Sequence, residues 1–231
     1  MLSIDMKKYT SMLDAIEGWY HPYDFNVTVN IIDHVINKNY KSGEKVKFCE
    51  IGVFHGKSFV PVCEYFYDRI DTFYCCDIFS PIDQLEVFRQ HLAHFLRPDF
   101  DNKVEIIRED SLKLHNHLPE GSDMEKFIFC SVDGYHAYEH TYSDLSFCAK
   151  RLVPGGVIVL DDVFHIRWPE VSDALYDFLN DNKHLKMIYS LRNRVVLSED
   201  LEIMNAVFDD TTMFQQRIKG HPMNIARYIE D

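Results

Sequence analysis

Four residues in two stretches of this chain have the types and spacing to handle a cation and a proton together. Asp133 closes FIFCSVD (127–133), Asp161 and Asp162 close GGVIVLDD (155–162), and His136 follows Asp133 by three positions. Carboxylates brought together repel one another unless a cation joins them. All-oxygen donors select a hard divalent ion, Mg²⁺ first, with Mn²⁺ or Ca²⁺ as substitutes. Such an ion lowers the pKa of a bound hydroxyl, and an imidazole titrating near neutrality is suited to take the proton. The competing reading is that Asp133 and one of the 161–162 pair cap helices, although a pair exceeds what one cap requires. His140 stands one turn beyond His136 in HAYEH, but no thiolate or third His accompanies it, so zinc is not indicated.

A second constellation lies in FCEIGVFHGKSF (48–59). A phosphate-binding loop needs four residues between its first glycine and its Gly-Lys-Ser, whereas Gly52 and Gly56 enclose three. Glu50, at the end of the preceding apolar run, would repel phosphate. The dinucleotide pattern G-x-G-x-x-G fails as well, because position 54 is Phe. What remains is E-x-G-x-x-x-G, a tight turn that lets a ligand approach backbone atoms. Asp77 follows Gly56 by 21 positions, the spacing of a carboxylate that accepts from ribose hydroxyls. A cationic nucleoside without phosphate suits this arrangement, and S-adenosylmethionine is such a molecule.

Positioning these groups requires strands that end where the carboxylates stand. Five apolar, β-forming segments recur: 46–52, 72–77, 103–110, 127–133 and 155–162. Near-continuous apolar runs indicate strands covered on both faces, as in a parallel sheet. Helical patterns occupy 57–68, 83–97, 136–151 and 169–181, the last with Val171, Ala174, Leu175, Phe178 and Leu179 on one face. The alternation predicts a doubly wound, Rossmann-like α/β sheet. LKMIYSL (185–191) and RVVLS (194–198), joined by Arg192 and Asn193, predict an antiparallel hairpin at its end. The expectation is one domain over 1–231: an N-terminal helical segment to 45, a core from 46 to 198, and a helical or partly loose tail over 199–231.

Composition narrows the partners. The chain has 231 residues, with 24 Lys and Arg against 37 Asp and Glu, a net charge of −13. No basic cluster suited to phosphate backbones appears, which argues against nucleic acid and for a neutral or cationic small molecule. The six cysteines form no C-x-x-C pair, and Cys49, Cys75 and Cys130 fall in apolar runs, so core thiols are expected. The polar N-terminus and the absence of a spanning apolar stretch predict a cytoplasmic protein without membrane contact. The oligomeric state stays open, a homo-oligomer included.

Taken together, EIGVFHGKS, VDGYHAYEHTYSDLSFCAKRLVPGGVIVLDD and the following RWPEV resemble the class I S-adenosylmethionine-dependent methyltransferases. More narrowly, the chain is similar to metal-dependent O-methyltransferases that include sugar-modifying enzymes, among them the macrocin O-methyltransferase type. The resemblance covers most of 46–171, and EGWYHP (17–22) looks like that family's leading segment. It implies that Glu50, Gly52, Gly56 and Ser58 line the cofactor, that Asp77 holds its ribose, and that Asp110 and Ser111 sit at its adenine. Helix capping is the alternative for Asp77 and for Asp110. Asp133 would serve both cofactor and metal, with Asp161 and Asp162 completing the metal set and His136 as base. Some of these enzymes place an Asp two residues after the first metal ligand instead; Tyr135 stands there in this chain. His165, Arg167 and Trp168 would form the acceptor rim, or else pack and solvate. Trp19, Tyr20 and His21 would close over the pocket. The implied acceptor is a sugar or glycan hydroxyl, with a catechol or phenol, or a non-catalytic binding homologue, as alternatives.

Overall fold

A computed structural model describes residues 4–41, 44–81, 83–118, 126–203, 213–218 and 221–226. Two helices lead the chain, α1 (Met6–Ala15) and α2 (Pro22–Asn39). The core then alternates β1 (Lys47–Ile51), α3 (Phe59–Tyr65), β2 (Thr72–Asp77), α4 (Asp83–Phe95), β3 (Val104–Arg108), α5 (Leu114–His117), β4 (Phe127–Val132), α6 (Tyr138–Arg151), β5 (Leu152–Leu160) and α7 (Pro169–Asp181). β6 (Lys186–Leu191), β7 (Arg194–Ser198), β8 (Met213–Ile218) and β9 (His221–Ala226) follow.

The described strands form one sheet in the order β3-β2-β1-β4-β5-β7-β6-β9-β8. β1 to β5 pair in parallel, and β7 enters antiparallel between β5 and β6. This is the doubly wound sheet with an antiparallel end that the pattern predicts. All five residues of β1 are buried, and strand alternation sends Phe48 to one face and Cys49 and Ile51 to the other. On the first face Phe48 stacks on Phe129, with centroids 5.5 Å apart, and joins Phe59, Phe73 and Phe88. The second face packs Ile51, Phe127 and Ile158 against Leu175 and Phe178 of α7. The six cysteines are free and buried, as core thiols.

The chain winds outward from β1 to β3 and then returns to β4, so the crevice between β1 and β4 is the switch point where open α/β sheets take ligands. Two details differ from expectation. β5 begins at Leu152 and stops at Leu160, which leaves Asp161 and Asp162 in the turn beyond it. Part of the tail is strand instead of helix: over 213–218 and 221–226, β8 and β9 form a hairpin, and β9 lies beside β6 through Ser190 and Ile225. That pairing covers an edge whose backbone groups would otherwise lack partners, a non-local cause that local patterning does not carry. Residues 204–212, 219–220 and 227–231 of the tail lie outside the described residues.

Candidate active site

At the carboxyl ends of β1, β2, β4 and β5 lies a cavity of about 1210 Å³. Turns in and around its walls are held in unusual backbone conformations. Phe54, Phe79, Asp162, Phe164 and Arg192 have φ between +46° and +70°. All five follow strand ends or turn the β6–β7 hairpin, and such strain concentrates at functional sites.

The glycine turn after β1 is braced by Asp77. Its Oδ2 accepts from the backbone N–H groups of Val53 and Phe54, each at 2.8 Å, and its Oδ1 from that of Phe79 at 2.7 Å. Asp77 therefore shapes the turn as well as facing the cavity. Gly52, Ser58, Asp110, Ser111 and Asp133 line the cavity too. Asp110 also caps the short turn after β3, accepting from Leu112 N–H at 3.0 Å, so its capping reading is realised in a side chain that borders the cavity. Glu50 and Gly56 lie behind the surface, which revises their expected place. Glu50 is buried and accepts from the Ser58 hydroxyl. Gly56, at φ +86°, lies against Phe88 and Val60.

Asp133, His136 and Asp162 converge: their ligating atoms all lie within 4.8 Å of one another. His136 Nε2 is 2.8 Å from Asp162 Oδ2 and 3.8 Å from Asp133 Oδ1. The carboxylates of Asp133 and Asp162 push the imidazole up to about 9, so without another cation it is an imidazolium at neutral pH. Asp161 leaves this group, contrary to expectation, because its Oδ2 pairs with Arg194 at 2.5 Å. The cause is register. Leu160 pairs with Val195, so the next antiparallel step sets Asp161 opposite Arg194 and Asp162 opposite Asn193. Asn193 Nδ2 indeed donates to Asp162 Oδ1 at 2.5 Å. His140 turns instead to Asp110, 3.4 Å away.

On the rim, Trp168 stacks on His136 with centroids 4.7 Å apart. His165 Nδ1 accepts from Arg167 N–H at 3.3 Å, and all three rim residues border the cavity. Sequence reasoning missed Arg194 and Asp24. The signal for Arg194 was an Arg opening an otherwise apolar strand; that for Asp24 was its place three residues after His21, where a capping box closes.

Several buried groups here bind protons more tightly when folded. Burial pushes Glu50 up to about 8 and Asp144 up to about 7, while burial and then Asp161 push Asp133 up to about 6. An acid whose folded pKa is raised loses stability as pH climbs from its unfolded value to its folded one. For His136 the contribution is complete below 6.5 and gone above about 9. The signs agree. Calorimetric melting without added divalent ion should show a midpoint that falls from about pH 5 to about pH 9, and His136→Gln should remove the upper part of that fall.

Residues 49–163 match the sequence family described as a methyltransferase domain. The chain carries a methyltransferase domain. Its fold is that of solved methyltransferases at low identity. The TDP-rhamnose 3′-O-methyltransferase CalS11 of calicheamicin biosynthesis is 14% identical, covering 84% of this chain and 92% of its own, with a TM-score of 0.58. The O-methyltransferase NovP is 18% identical, covering 76% and 79%, at 0.52. MycE of mycinamycin biosynthesis, solved with Mg, S-adenosylhomocysteine and mycinamycin VI, is 17% identical over 85% of this chain and 55% of its own, at 0.55. Comparison with curated protein sequences found no match. No described helix of the methyltransferase is long and apolar enough to cross a membrane.

Proposed function

We propose that this methyltransferase moves the methyl group of S-adenosylmethionine to a hydroxyl of a sugar or glycan, with a divalent ion at the acceptor end of the cavity. The observation that carries the reading is the convergence of Asp133, His136 and Asp162 beside the glycine turn. CalS11 and MycE, with the same fold, support the acceptor class by what they act on or bind.

The donor set fits an ion in part. Asp133 and Asp162 would supply the carboxylate oxygens, those of Asp162 facing His136 and Asn193, while His136 stands beside them for the proton; Asp161 is committed to Arg194. Two carboxylates with an imidazole nearby suit Mn²⁺ at least as well as Mg²⁺. When bound, the ion supplies charge that favours an ionised acceptor oxygen. The protein's own part is alignment: a C–O bond forms in line with the breaking C–S bond, and the sulfonium leaves as a neutral thioether. His136 receives the hydroxyl proton at Nε2. That nitrogen is free to do so only when its carboxylate neighbours are neutralised by another cation, because they otherwise hold it protonated. Trp168, flat against the imidazole, fixes the ring plane.

The test is methyl uptake from labelled S-adenosylmethionine onto nucleotide sugars, small glycosides and catechols, with Mn²⁺, with Mg²⁺ and with chelator. Uptake by sugars supports the reading; uptake by catechols alone would reassign the acceptor, and no uptake in any arm would refute it. His136→Gln should slow transfer by about a hundredfold, and the limb of the pH–rate profile due to the imidazole should vanish.

A further inference from the structure

The leading segment before α2 is fastened over the glycine turn at several points. Glu17 Oε2 lies 3.3 Å from His55 Nδ1, Trp19 lies against Phe54 with centroids 6.0 Å apart, and Gly18 sits on the stem of Lys57. Trp19 is nevertheless 89% exposed, so its bulk lies at the cavity mouth and not in the core. Below it, Tyr20 is buried, with its hydroxyl 2.8 Å from that of Thr28 and its ring 4.5 Å beneath the Arg194 guanidinium.

Asp24 is the unexplained member of this segment. It lies in the first turn of α2, only 6% exposed, and it borders the cavity. Its Oδ2 accepts from His21 N–H at 3.3 Å and completes the capping box. Its Oδ1 is buried with no partner. No Lys, Arg or His side chain pairs with it among the described residues. The nearby guanidinium of Arg194 is engaged by Asp161 instead. A cap needs one oxygen, and a second left bare in the interior is costly unless something donates to it.

Sheet order says which end of the cofactor passes here. Asp77, Asp110 and Ser111 stand over β2 and β3, where an adenosine would lie, and Asp133 and Asp162 stand over β4 and β5, where the acceptor would lie. The cofactor's amino-acid end then falls between them, over β1 and β4, beneath the 17–24 segment. That end carries an α-ammonium, a compact cation with three donors. We propose that Asp24 Oδ1 accepts from the α-ammonium of S-adenosylmethionine, so that the leading segment is part of the cofactor site and not only a cover. The proposal rests on reading the cavity as the S-adenosylmethionine site.

Titration calorimetry with two probes tests it. S-adenosylhomocysteine has the amino-acid end, and 5′-methylthioadenosine lacks it. Asp24→Asn keeps an oxygen for the cap and removes the charge; it should weaken S-adenosylhomocysteine by about tenfold or more and leave methylthioadenosine unchanged. Equal weakening of both probes, or of neither, would overturn the assignment. A second measurement needs no variant: the wild-type protein should bind the α-deaminated analogue of S-adenosylhomocysteine about as weakly as Asp24→Asn binds the parent, and undiminished affinity would overturn the assignment. Wild-type protein that binds neither original probe would instead sink the cofactor reading on which the proposal depends.

Discussion

Asp162→Ala should lower methyl transfer by about a hundredfold or more while S-adenosylhomocysteine affinity stays within about threefold of wild type. The aspartate sits 2.8 Å from His136 Nε2 and receives Asn193 at its other oxygen, so in the proposed reading it orients the imidazole at the acceptor end, away from the nucleoside. Its loss also removes one of the two carboxylates that hold His136 protonated, so the imidazole titration followed by NMR should move down from about 9. The adjacent Asp161→Ala should behave differently. Asp161 and Arg194 are 11% and 14% exposed in their side chains, and removing one partner leaves the other charge buried and alone. Such losses cost roughly 3–5 kcal/mol of stability, so Asp161→Ala should melt at a markedly lower temperature, whereas Asp162→Ala should not. Equal stability of the two variants would refute the division of labour drawn between these neighbours.

That division marks how far the sequence could be read. Strand ends are local events: an apolar run stops, an Asp follows, and the parallel sheet carries each such residue to the same edge. Asp77, Asp133 and Asp162 were legible for that reason. Glu50 looked like a ligand because it shares their place at a strand end, yet the alternation of β1 turns its carboxyl inward to Ser58. Arg194 was not legible, since its meeting with Asp161 depends on β7 inserting antiparallel beside β5 in one register. The β8–β9 hairpin was missed on the same ground. Its contribution is to an edge provided by a distant strand, and nothing within 213–226 states which edge that is. Asp24 shows a further limit. The capping box explains why an acid stands there, and so conceals that only one of its two oxygens is used.

Gly52→Ala should be the most damaging single change to the fold at the site. Gly52 has φ +84°, and a Cβ added there would stand 1.9 Å from the Asp133 carbonyl oxygen and 2.4 Å from its carbon. Both are backbone atoms, so no rotamer change relieves the overlap. Around them Gly52 N–H donates to Cys76 O, and Asp133 N–H donates to Ile51 O, each at 2.8 Å, which ties the ends of β1, β2 and β4 together. Accommodating the methyl means separating β1 from β4 at the switch point, a cost of roughly 3 kcal/mol or more. The same displacement would pull Val53 and Phe54 off Asp77, so residual folded protein should bind S-adenosylhomocysteine poorly. Gly56→Ala is the control. It shares the positive φ, but the nearest atoms its added Cβ would meet belong to the side chains of Phe88 and Val60, at 2.7–2.8 Å, which yield at less cost than backbone. Denaturant unfolding should therefore rank wild type above Gly56→Ala, and Gly56→Ala above Gly52→Ala. A Gly52→Ala protein as stable as the Gly56 variant would mean that the β1–β4 contact is looser than this geometry requires.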